Sequence, residues 1–263
     1  MTDRKRSEKV FRIREKHNSI IRPLRSEDRE AIRQICCKTA FRNAGSQAYF
    51  EDDELHADYW TSYFTDHASN TSWVIEEDGE IIGYFLGCVN HDHFLQTMKK
   101  SIVPRYVLRA LWRLATLQYK KPQTRRYLYW FILKAWREFP PVPAAEKPAH
   151  YHCNMLKKGY SRGYYTELTL KFLDELDQRG VSKIHGYITE GPEKGIWNTF
   201  AKMCVDEIRA SGDPDTEFFF SEKSSTLNET VLHLDKPLIN RAWAVKISNY
   251  RKWILWLRDS YHI

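Results

Sequence analysis

His150, His152 and Asn154 stand two residues apart in the stretch AHYHCNML. Alternate side chains on a β-strand share a face, so these three project together if the stretch is extended. Imidazole titrates near neutral pH, which suits such a face to taking a proton from a bound group, directly or through water. His152 is the candidate base or water anchor, with His150 and Asn154 assisting; hydrogen-bonded sheet histidines are the plain alternative. Glu190, at the end of a later apolar run, is a competing base. Between them lies Leu156–Thr166, LKKGYSRGYYT, a glycine-bearing loop that opens a helix. Free amides at a helix start attract anions, and Arg162 can add a charge and Thr166 a hydroxyl. Asn90-His91-Asp92-His93, taken with His150 and His152, offers imidazole and carboxylate to Zn or Fe. No ligand spacing there is distinctive, so no metal is expected. Cys153 reads as a buried strand thiol rather than a nucleophile.

The elements that must position these residues follow from periodicity and punctuation. Ile20–Leu24 is a predicted strand, and Ser26 with Glu27 and Asp28 starts a helix whose buried stripe is Ala31, Ile32, Ile35 and Cys36. A second helix is predicted over Asp53–His67. Trp73-Val74-Ile75 and Ile81–Val89 flank Asp78-Gly79, a strong hairpin turn. Residues 94–139 then break the alternation with two amphipathic helices, and Pro140-Pro141-Val142-Pro143 is a stiff spacer. Ala149–Leu156 is a strand, Tyr164–Gln178 a helix ended by Gly180, Val181–Thr189 a strand and Lys194–Met203 a helix. Glu217–Phe220 and Thr230–Leu234 are further predicted strands. Trp243, Ile247, Tyr250, Ile254, Leu257 and Tyr261 mark a C-terminal amphipathic helix.

This order gives an α/β (α+β) domain on a mixed, mostly antiparallel sheet flanked by helices. The run HCNMLKKGYSRGYYTELTLKFLDELDQRGVSKIHGYIT resembles the central motif of the GNAT superfamily of acyl-CoA-dependent N-acyltransferases, in which a strand leads into a Q/R-x-x-G-x-G/A loop and a long helix. IIRPLRSEDREAI is similar to the usual GNAT opening, and WVIEEDGEIIGYFLG to its second and third strands. The resemblance covers roughly residues 20–93 and 148–205, with a helical insertion at 94–139 between the third and fourth strands. It divides the chain into a basic extension (1–17), a GNAT-like domain (18–236) and a C-terminal helix (237–263). It implies acetyl-CoA, or another acyl-CoA, as cosubstrate without metal. Its pantetheine would pair with main chain near Asn154, Met155 and Leu156, and its pyrophosphate would meet Tyr160, Ser161, Arg162, Gly163, Tyr164, Tyr165 and Thr166. Two departures stand out. Tyr160 and Tyr165 replace the loop's polar and small residues, where they should crowd the phosphates. Phe200 occupies the position of a tyrosine that often protonates the leaving thiolate, and phenylalanine has no proton to give.

The 263 residues are 42% hydrophobic and 29% charged, as in an ordinary globular protein. No apolar run is long enough for a membrane-spanning helix, and the charged N-terminus has no signal core, so a cytoplasmic protein is expected. Five cysteines without CxxC spacing exclude a disulfide scaffold or zinc ribbon. The net charge of +7 is uneven: residues 1–17 carry +4, 94–139 carry +10 and 237–263 carry +4, leaving −11 for the rest. Arg105, Arg109 and Arg113 form one helical stripe in the basic segment. That stripe reads as a solvated face, a dock for an acidic partner such as acyl carrier protein, or a peripheral membrane contact. The acidic body argues against nucleic acid, and a homodimer is allowed. The acceptor read from this is a primary amine of a small molecule, acetylated by direct attack. Longer-chain transfer and a GNAT-like protein without turnover are the alternatives.

Overall fold

The computed structural model describes residues 18–160, 162–192, 210 and 218–261. The basic extension at 1–17, Ser161, Phe200, Cys204 and the helix expected over 194–203 lie outside the described residues. Strand β1 (Ser19–Pro23) pairs antiparallel with β2 (Ser72–Glu77), and β2 with β3 (Glu80–Cys88). Asp78 and Gly79 turn the hairpin with φ of 52° and 82°, the left-handed pair that a two-residue loop needs. Ile75 faces Gly83 while Glu76 faces Ile81, so Ile82 is the extra residue of a bulge. The bulge puts Ile82 and Phe85 on the same side of the sheet. Strand β4 (His150–Met155) completes this sheet, in the order β1-β2-β3-β4.

Helices α1 (Arg29–Asn43) and α2 (Asp53–Asp66) cover one face, where Ile32, Ile35, Tyr63 and Phe64 pack on Val74, Tyr84 and Leu86. The first helix does not start on a Ser26 cap. Ser26–Asp28 is a 3-10 turn, and the Asp28 carboxylate accepts the Arg25 amide at 2.8 Å and both Arg22 guanidinium nitrogens at 2.7 Å. A charged acceptor with three donors outcompetes a neutral hydroxyl.

The segment between β3 and β4 is helical, as expected. It holds α3 (His91–Thr97), a π-helical turn (Met98–Ile102), α4 (Val103–Ala115), α5 (Pro122–Leu133) and α6 (Ala135–Glu138). Its aromatics Tyr106, Tyr119, Tyr127 and Trp130 pack on Phe50 and Leu55 as a separate core. Helix α7 (Tyr164–Gln178) then covers the other face of the first sheet through Leu168, Phe172 and Leu173.

A second sheet comprises β5 (Lys183–Glu190), β6 (Phe218–Ser225) and β7 (Leu238–Lys246), with β7 in the middle. Two expectations change here. The strand predicted over Thr230–Leu234 is part of helix α8 (Leu227–Leu232), because Leu227 and Val231, one turn apart, bury against α5 and outweigh the local β-branched preference. The C-terminal helix does not fill 237–263. Residues 238–246 are strand β7, and helix α9 (Ile247–Tyr261) follows. The four-residue step from Trp243 to Ile247 imitates a helical stripe. The deciding pattern is Ala242 and Ala244, fully buried small residues of a strand paired on both edges.

Asp52 ties the insertion to the domain. Its buried carboxylate caps α2 at Leu55 N (3.1 Å), and accepts from Arg113 at 2.6 Å and from the Tyr119 hydroxyl at 2.8 Å. Asp52→Ala removes the α2 cap and the Tyr119 acceptor and leaves Arg113 with Glu54 alone, and is expected to cost about 2–4 kcal/mol. The check is the midpoint of urea unfolding; a loss below about 1 kcal/mol would show that the insertion docks by apolar packing alone.

Candidate active site

The two sheets touch at one end and part at the other. His185 N donates to Ala149 O at 2.9 Å, just before β4, and beyond that point the strands belong to separate sheets. Leu156 N donates to Ile82 O across β3 at 2.8 Å. Since main-chain groups alternate in direction along a strand, the N–H and C=O of Tyr151, Cys153 and Met155 point away from β3, into the gap. The result is a wedge, closed at Ala149–His185 and lined along β4 by backbone that is unpaired among the described residues.

At the wide end stands the loop before α7. Gly163 holds the left-handed conformation (φ 78°) at the N-cap of this 15-residue helix. The first-turn amides of Tyr164 and Tyr165 have no acceptors within the helix, which makes an anion site. Other groups of this loop are engaged otherwise than the sequence suggests. Arg162 pairs with the buried Glu77 at 2.6 Å, so its charge is already balanced. The Thr166 hydroxyl donates to Gly163 O at 2.8 Å. Tyr160 does not crowd the amides; it is 46% exposed and its hydroxyl reaches Asn43 at 3.1 Å. Tyr164 donates to the Ser19 hydroxyl at 2.7 Å.

Tyr165 does not crowd the amides either. Its hydroxyl lies 2.6 Å from that of Tyr151 and 3.0 Å from that of Tyr250, and Tyr151 and Tyr250 are 2.6 Å apart. Burial raises the pKa of all three, so each is a protonated donor at neutral pH. Trp243 stacks on Tyr250 and lies flat over Gly186 of β5, where an added Cβ would sit 2.5 Å from the indole. The cluster draws on β4, α7 and α9. Tyr151 could have been found, since it alternates with His150 and His152; Tyr250 could not, because only folding brings α9 here.

The opposite face of β4 carries the histidines, as its alternation requires. His152 Nε2 is 3.0 Å from Asn154 Nδ2, which also donates to the Tyr84 hydroxyl at 2.7 Å. The His152 ring lies 5.7 Å from that of Trp60, and its buried Nδ1 has no hydrogen-bond partner. Burial pushes its pKa down to about 4. His150 is lowered too, by burial first and by neighbouring histidines second. Glu190 is a correction. It is a buried partner of Arg241 at 2.6 Å, inside the second sheet, and does not stand free at a strand end as a base. Pairing with a guanidinium is the ordinary condition for burying a carboxylate.

The basic stripe is also engaged. Arg109 pairs with Glu54 and Asp58, and Arg113 with Asp52 and Glu54. A cavity of about 330 Å³ beside this network is lined by residues such as Ser62, Arg105 and Leu108, and by none from β4 or β5. It is not part of the wedge.

Comparison with solved structures fits this geometry. The crystal structure of SsHAT aligns with a TM-score of 0.50 and 21% identity over 85% of this chain and 96% of that one. The chain has the GNAT fold. An N-acetyltransferase from Staphylococcus aureus Mu50 aligns at a TM-score of 0.42 and 12% identity, over 88% of this chain and 99% of that one. Diaminobutyrate acetyltransferase EctA from Paenibacillus lautus, solved with its substrate and coenzyme A, aligns at 0.38 and 9% identity over 88% and 95%. No family model and no curated protein matches the sequence.

His56, His91 and His152 are each lowered to about 4 and His185 to about 3, in every case chiefly by burial. Their folded values lie below the unfolded value of about 6.5, so the unfolded chain binds more protons in between. Stability should therefore be fully present above about pH 6.5 and fall as pH drops toward 4. Melting temperatures between about pH 7 and pH 5 test this, and His152→Gln should flatten the slope. A melting temperature independent of pH in that window would show that these rings are solvated.

Proposed function

We propose that the protein is an acyl-CoA-dependent N-acyltransferase that moves an acetyl group from acetyl-CoA to the primary amine of a small molecule. The observation that carries this is the unpaired edge of β4 inside the wedge, with a helix N-terminus at its open end. An extended, amide-bearing chain ending in a pyrophosphate has the chemistry to fill both. The residues present fit that group. Tyr151, Cys153 and Met155 would bond its amides, and the first-turn amides of α7 would hold its phosphates. The thioester supplies an activated carbonyl whose C–S bond breaks as the C–N bond forms.

The protein's own groups then account for the protons. His152 is neutral at pH 7, and because Asn154 Nδ2 faces Nε2 the ring hydrogen is on Nδ1, so Nε2 is the candidate acceptor. A base this weak does not deprotonate a free alkylammonium; it suits the far more acidic N–H formed as the nitrogen attacks. On the other face of β4, the Tyr151–Tyr165–Tyr250 cluster supplies the proton for the departing sulfur, a role that Phe200 cannot fill. Acceptor and donor thus sit on opposite sides of one strand. Tyr106, Tyr119, Tyr127 and Trp130 of the insertion are packed into its own core, which favours acetyl over a long acyl chain.

Acetyl-CoA is expected to raise the melting temperature. Tyr250→Phe and His152→Ala should each keep that shift while lowering turnover on a panel of amines by about 100-fold. No shift with any thioester would overturn the reading. A shift without turnover would mean a binding protein, and a response only to long-chain thioesters would transfer the role to a longer acyl group.

A further inference from the structure

His91 of α3, His150 of β4 and His185 of β5 converge at the closed end of the wedge, each from a different element. One ring nitrogen from each lies within 4.8 Å of the other two. His91 Nδ1 and His150 Nδ1 are 3.3 Å apart. Two nitrogens bound tetrahedrally to one zinc ion at about 2.0–2.1 Å would be separated by about 3.3–3.4 Å. The ring centroid of His185 stands 4.7 Å from that of His91 and 5.1 Å from that of His150. His185 is 1% exposed, and its Nδ1 has no hydrogen-bond partner. A contact with the Ala149 carbonyl engages the ring and raises its pKa against the effect of burial.

We propose that His91, His150 and His185 form a tris-imidazole site for a divalent transition-metal ion, with zinc the best-suited probe. Three neutral nitrogen ligands leave a fourth position for water, and imidazole favours zinc and its neighbours over magnesium or calcium. Two charged neighbours act on His91 in opposite senses: Asp92 favours added positive charge and Lys147 opposes it. Of Asn90–His93, only His91 belongs to this site. His93 Nδ1 faces the Tyr63 hydroxyl at 3.1 Å, and His152 lies with Asn154 and Trp60. A bound ion would pin the insertion and both sheets together where the sheets meet. Acyl transfer does not require it, and the site does not rest on that function.

The test uses the full chain, freed of metal by a chelator and dialysed against zinc alone. The expected result is one equivalent of zinc per chain and a higher melting temperature, with cobalt giving the intense visible absorption of a four-coordinate site. His185→Ala should weaken zinc binding by about 100-fold, and His93→Ala should leave it unchanged. If His185→Ala fails to fold, His91→Asn at the start of α3 provides the same readout. Absence of zinc uptake, or uptake that survives loss of a ligand histidine, would overturn the site and leave a hydrogen-bonded histidine cluster.

Discussion

Strand β4 has to satisfy two opposed demands: full pairing with β3 along one edge, and an unpaired edge along the other. The bond from His185 N to Ala149 O sets the balance. It joins the sheets at one end and so fixes where their separation begins. Continued pairing would have made one seven-stranded sheet with no gap. With no joining bond, β5 would have no fixed distance from β4. The tyrosine cluster, the histidine face and the indole over Gly186 are all placed relative to that joint. An open edge in an ordinary sheet invites strand pairing with other chains. Here the edge lies between two covered sheets, where a thin ligand fits more readily than another strand.

The charge distribution follows a similar logic. The excess of positive charge in residues 94–139 suggests an outward-facing surface. Asp52, Glu54 and Asp58 lie in a segment of the opposite sign and take up two of the three stripe arginines. Complementary charge in this chain thus joins parts of the same molecule. The Arg109–Glu54 pair specifies where the insertion docks more than it stabilises the fold, since exposed ion pairs contribute little, whereas Asp52 is buried and its loss is costly. What remains at the surface of α4 is Arg105 together with Leu108, Leu111 and Trp112.

Where a local pattern had one reading, the sequence was a sound guide. Asp78-Gly79 made a hairpin, Tyr164–Gln178 made a helix with those limits, and the alternation of His150, His152 and Asn154 put them on one face. Where two periods overlapped, it was not. Trp243 and Ile247 are one helical turn apart and also lie near a strand-to-helix boundary, and only the pairing of β7 with β5 and β6 decides between these. The candidate site was half legible. Residues on β4 and its loop are near neighbours in sequence, so spacing finds them. Glu190 was misread because its partner, Arg241, is distant in sequence. His185 and Tyr250 escaped notice for the same reason: each joins its cluster across a sheet boundary or from the last helix.

The central position of β7 also sets an order of events. β5 and β6 each pair only with β7 among the described residues, and β7 is the last of the strands to be synthesised. A chain emerging from the ribosome can close its first sheet once residue 155 is out. Its second sheet must wait for residue 246. Through that interval β5 and β6 have exposed edges and no mate, the condition in which chaperones find clients and nascent chains aggregate. The two halves of the wedge are thus separated in time as well as in space, and the later half waits for β7.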